Sequence, residues 1–127
     1  MANNKRKINR RDFTYYMQVL DEPTKQIIGY LSDISTEGFK LDCPHQVPTE
    51  QDFHMLVPLT ADIADKTSMT LIARSKWCRP DHIDPTTFNV GFEIINMAPN
   101  DMEIFHRIFE KYGSEQARKG NDNYLWR

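Results

Sequence analysis

The chain has few cysteines, little glycine, no long apolar run and almost no net charge, and each shortage removes a class of protein. Two cysteines, Cys43 and Cys78, are too few for a disulfide framework, and with no export signal both are expected to be reduced. Five glycines include no P-loop and no dinucleotide-binding fingerprint. No G-x-S-x-G elbow stands anywhere, so nothing promotes a hydrolase. No stretch approaches the roughly 18 apolar residues of a membrane-crossing helix, so no membrane insertion is expected. The basic N-terminus runs into Phe13-Thr14-Tyr15-Tyr16, which is not the apolar core of a signal peptide, and the expected location is the cytoplasm. A net charge of −2 argues against a general polyanion binder. Cys43 with His45 and Cys78 with His82 give C-x-H and C-x-x-x-H, spacings unlike those that hold a structural zinc, so no metal site is expected.

What remains is one domain's worth of chain, 127 residues with 39% hydrophobic content. Its patterning has period two almost throughout. Strands are predicted at 13–21, 26–32, 39–42, 52–59 and 68–78, with Phe88, Val90, Phe92 and Ile94 on one face of a sixth. In the fifth, Met69, Leu71, Ala73, Ser75 and Trp77 are expected to point one way and Thr70, Arg74 and Lys76 the other. Gly91 marks a bulge or a close backbone approach. Residues 60–67 and 79–86 are expected to be loops. Six short antiparallel strands favour a small closed barrel, because closure removes exposed edges. After Pro99 the period changes to that of a helix. Asn100 is placed as its cap, with Glu103 completing a capping box, and Ile104, Phe105, Ile108, Phe109 and Tyr112 form its apolar stripe before Gly113. The expected organisation is a flexible basic arm (1–12), a β-barrel with a closing helix (13–113) and a tail (114–127) that is polar up to Tyr124-Leu125-Trp126.

Two short stretches carry the chemistry. Five of the seven residues from Lys5 to Arg11 are basic, with R-x-x-x-R at Arg6 and Arg10. Asp33-Ile34-Ser35-Thr36-Glu37-Gly38 holds D-x-S-x-x-G in what is expected to be a six-residue polar turn. Alone, the second pattern is good turn chemistry without any ligand, since Asp and Ser bond nearby backbone N–H groups and Gly frees the backbone. Brought together, the two stretches offer guanidinium groups, a carboxylate, a hydroxyl and exposed backbone N–H groups, a set suited to an anionic, guanine-containing ligand.

The conjunction resembles the PilZ domain family, receptors for the bacterial second messenger cyclic di-GMP. The resemblance is carried by Arg6-x-x-x-Arg10, Asp33-x-Ser35-x-x-Gly38, Val90-Gly91-Phe92, the run Gln26 to Ser35, and Trp77-Cys78 before an Asp/Pro-rich loop, and it covers residues 5 to 112. It implies an all-β fold, a six-stranded antiparallel barrel with a C-terminal helix. It also implies a non-catalytic sensor with no cofactor beyond its ligand, cyclic di-GMP, acting on an unidentified protein partner in motility, biofilm or polysaccharide control. Arg6 and Arg10 would bind phosphate or guanine from a mobile arm, with Arg11 beside them. Asp33 would accept from a guanine's N1–H and amine, Ser35 would donate to phosphate or brace the turn, and Gly38 would let the backbone approach. Lys5, just before the first arginine, bears on whether one ligand or a stacked pair binds, and Gly91 lies near. The alternatives are an adaptor that keeps the fold without the nucleotide, and a small barrel binding single-stranded nucleic acid through its arm. The acidic body of the chain argues against the last, so no nucleic-acid partner is expected.

Overall fold

A computed structural model describes residues 17–112. Six strands, β1 (Gln18–Asp21), β2 (Ile27–Ile34), β3 (Gly38–Cys43), β4 (Asp52–Pro58), β5 (Ser68–Pro80) and β6 (Phe88–Asn96), precede a helix, α1 (Pro99–Tyr112). All neighbours are antiparallel, and the order β1-β2-β3-β6-β5-β4 closes on itself through β1 and β4, with Leu20 opposite Leu56 and Asp21 opposite Met55. Alternation along the strands puts Val19, Leu31, Ile34, Phe39, Leu41, Met55, Val57, Met69, Leu71, Ala73, Val90 and Phe92 inside. Phe92 anchors the interior, stacked on Phe39 (ring centroids 5.5 Å apart) and met edge-on by Phe53 (5.8 Å). The expected closed barrel is the fold.

Helix α1 plugs one end. Ile104, Phe105, Ile108 and Phe109 are buried, and Phe105 reaches Phe39 inside the barrel at 6.3 Å. The helix starts one residue before the expected cap. Met102 N–H donates to the Ala98 carbonyl, so Ala98 holds the cap position and Pro99 the first turn, where its missing N–H costs nothing. Asn100 is therefore inside the helix and no capping box forms around it. The buried Asp101 complements the helix N-terminus and binds Lys66 at 2.7 Å.

Three further expectations shift. The stretch 60–67 is no loose connection: it buries Ile63 and is tied to α1 by Lys111 to Asp62 and Arg107 to the Ile63 carbonyl. Strand β5 runs on to Pro80, so Arg79 belongs to the sheet. Gly91 pairs regularly with Lys40, and the bulge lies opposite it, on β5. The arm (1–12), the first residues of the predicted first strand, Gly113 and the tail (114–127) lie outside the described residues. Cys43 is buried inside the barrel while His45, two residues on, is exposed. The pair therefore faces opposite environments. Among the described residues no group of three or more His, Cys, Asp or Glu side chains is placed to hold a metal, and no helix is long and apolar enough to cross a membrane.

Candidate functional site

The expected six-residue turn is shorter than its motif. Asp33 and Ile34 are the last residues of β2, Gly38 is the first of β3, and Ser35, Thr36 and Glu37 connect them. A bulge in β2 explains the placement. Leu31 pairs with Leu41 and Asp33 with Lys40, leaving Ser32 as the extra residue, its hydroxyl bonded to the Lys40 carbonyl at 3.2 Å. Without the bulge, Leu31 and Asp33 would share a face. With it, Leu31 and Ile34 both enter the core and Asp33 takes the outer side of the wall, with Lys40 as its cross-strand neighbour.

Asp33 is recessed, only 5% exposed, and among the described residues its carboxylate accepts one hydrogen bond, from Ile34 N–H at 2.8 Å. Ser35 has no exposed surface. Its N–H donates to the Gly38 carbonyl at 2.9 Å, its hydroxyl points at the same carbonyl at 3.5 Å, and it accepts from Glu37 N–H at 3.4 Å. The long side-chain distances make these weak bonds. Of the two roles open to Ser35, bracing the turn is the one these contacts serve. The turn is also fastened to β6, where Ile94 N–H donates to the Glu37 carbonyl at 3.0 Å.

A second bulge acts on the same wall. In β5, Ser75 faces Phe92 and Trp77 faces Gly91, which makes Lys76 the extra residue. The expectation that Trp77 points the same way as Met69, Leu71, Ala73 and Ser75 is thereby overturned: Ser75 is buried, and Trp77 lies on the outer face while Cys78, opposite the buried Val90, takes the inner one. Cross-strand pairing then lines up two outer rows across β2, β3, β6 and β5. The first is Asp33, Lys40, Gly91 and Trp77, and the second is Tyr30, Asp42, Asn89 and Arg79. Asn89 donates to Asp42 at 3.0 Å, and the Arg79 guanidinium lies 4.5 Å from the centre of the Trp77 ring. At the β5 end Lys40, Trp77, Arg79, Pro80, His82 and Asn89 enclose a concavity of about 250 Å³.

The structure thus brings Asp33, Ser35, Gly38 and Gly91 to one region of the barrel. Arg6, Arg10, Arg11 and Lys5 lie outside the described residues. Lys40, Trp77, Arg79 and Asn89 were not singled out as site residues. Strict alternation hides Trp77, because Lys76 fits the period-two pattern and nothing in the stretch marks the break.

Residues 4–111 match the family described as PilZ domain, and the chain belongs to that family. PilZ domains form a family of cyclic di-GMP receptors. No curated protein and no solved structure matches the chain.

Proposed function

We propose that this protein is a non-catalytic, cytoplasmic cyclic di-GMP sensor that signals to a separate protein partner, in the motility, biofilm or polysaccharide control associated with its family. The observation that carries the reading is the bulge at Ser32, which sets Asp33 on the outer wall beside Lys40 and next to a braced turn. A carboxylate there suits the N1–H and exocyclic amine of guanine, the one base edge that presents two donors together. Arg6 and Arg10, with Arg11 and Lys5 beside them, would supply the guanidinium and ammonium groups for phosphate and for the guanine O6/N7 edge. Binding would order the arm at an entropic cost. The bare backbone of Gly91 and the Gly38 end of the turn would admit the ligand closely.

Isothermal titration of the full chain with cyclic di-GMP tests the proposal. Saturable binding is expected, with Asp33→Ala and Arg10→Ala each weakening it about ten- to a hundredfold, the cost of losing one charged hydrogen-bonding partner. Absence of heat at tens of micromolar ligand would overturn it and leave an adaptor that recruits its partner without nucleotide.

A further inference from the structure

The end of the barrel that α1 closes carries an apolar groove along one flank of the helix. Met102, Phe105, His106 and Phe109 stand at i, i+3, i+4 and i+7, so they share that flank. Phe105 and Phe109 are buried, whereas Met102, at 57%, is the most exposed of the large apolar side chains among the described residues. Ile94 of β6 and Met97 just beyond it join them to line a groove of about 390 Å³. Contiguous apolar surface of this kind marks a docking site. The groove is also acidic. Glu37 and Glu93 line it, and Glu37 meets no cation among the described residues. The cations of the helix are engaged elsewhere, Arg107 with the Ile63 carbonyl and Lys111 with Asp62 on the β4–β5 connection.

The chain beyond Tyr112 has the matching composition. Residues 113–127 are polar except for Tyr124-Leu125-Trp126, an apolar triplet next to Arg127 and downstream of Arg118 and Lys119. These cations outnumber the carboxylates of the segment, Glu115 and Asp122. Since α1 ends within a turn of Phe109, the segment departs beside the groove. Residues 113–123 can span roughly 40 Å when extended, against about 11 Å of helix between Phe109 and Met102. Gly120-Asn121-Asp122-Asn123 supplies residues suited to a chain reversal on the way. We infer that Tyr124-Leu125-Trp126 docks in this groove in cis, its aromatic rings against Met102 and Met97 and a tail cation beside Glu37. A tether of this length holds the triplet at an effective concentration in the millimolar range, so a contact of a few side chains is enough to fill the groove. A partner protein that uses the same groove has to displace the tail first. The inference is independent of the cyclic di-GMP reading, and its test needs no nucleotide.

The test is methyl NMR on the full chain labelled at its six methionines, with Met97 and Met102 assigned through Met97→Leu and Met102→Leu. The Met97 and Met102 methyl signals are expected to lie upfield, shifted by the tail's aromatic rings. In Trp126→Ala and in Leu125→Asp they are expected to move back, while Met55, which has no exposed surface in the barrel interior, stays in place. Both substitutions lie outside the barrel and its closing helix, so the fold does not depend on them. The inference is overturned if Met97 and Met102 have the same shifts in the parent and in both variants. It is also overturned if Met55 moves instead, which would put the triplet elsewhere on the barrel. Loss of the upfield shift on dilution, with a dimer in sedimentation at high concentration, would overturn docking in cis and assign the groove to the tail of a second copy.

Discussion

A methyl group added at Gly29 would lie 2.7 Å from the Asp42 carbonyl oxygen and 2.7 Å from the Cys43 sulfur, with Leu41 Cβ at 3.2 Å. The oxygen belongs to the β3 backbone and cannot turn aside. Gly29→Ala is therefore expected to destabilise the barrel by about 1–3 kcal/mol, seen as a lower urea midpoint with an unchanged slope. Ser75 is a comparable fixed point, fully buried, with its hydroxyl donating to the Pro48 carbonyl at 2.6 Å and accepting from Gln51 N–H at 3.2 Å. Ser75→Ala should cost about 1–3 kcal/mol by stranding those groups. Burial, helped by the neighbouring Cys78, pushes the Cys43 thiol up to about 12. Cys43 is thus a neutral thiol across the physiological range, and native-state alkylation at pH 8 followed by mass spectrometry should leave it unlabelled until the chain is unfolded.

Among elements, α1 and the β4–β5 connection behave as one clamp. Lys111 bonds Asp62 at 2.6 Å and Lys66 bonds Asp101 at 2.7 Å, so the helix is held at both ends by a segment whose polar composition suggested only a loop. The bond from Lys111, with a second from Thr60, lowers the Asp62 carboxyl from the ordinary 3.8 to about 2. A folded-state value below the unfolded one contributes stability that is present above 3.8 and lost as pH falls towards about 2. In Lys111→Met the Asp62 value should return towards the ordinary one. Thermal midpoints recorded down that acid window should then fall less steeply in the variant than in the parent. The apolar side of the helix was legible from its stripe, and Ile108→Ala is expected to cost about 2–5 kcal/mol because the residue lies in the barrel mouth with 1% exposure. The cap was not legible: Asn100 has the better capping side chain, yet the Ala98 carbonyl accepts the first helical bond.

For the molecule as a whole, the barrel was legible because most of its strands alternate cleanly and α1 changes period abruptly. Half of the candidate site was legible too, since Asp33, Ser35 and Gly38 are contiguous enough to form a pattern. The other half was not, for a geometric reason. Lys40, Gly91 and the Trp77–Arg79 pair are far apart along the chain and meet only through cross-strand register, which bulges at Ser32 and Lys76 displace from a simple count. A period-two reading errs by a whole face after each bulge, and Trp77 follows one directly.

Those extra residues have a consequence for how the chain tolerates shortening. Deleting an ordinary strand residue such as Arg74 inverts every side chain beyond it, sending core groups to water and surface groups inward. Deleting Lys76 or Ser32 does not, because each is the supernumerary member of its ladder: Trp77 would still face Gly91, and Asp33 would still face Lys40. What such a deletion removes is the local bend that a bulge gives its strand. Ser32 and Lys76 are therefore positions where the length of the barrel wall can change while each remaining residue keeps its side, and both adjoin the candidate site.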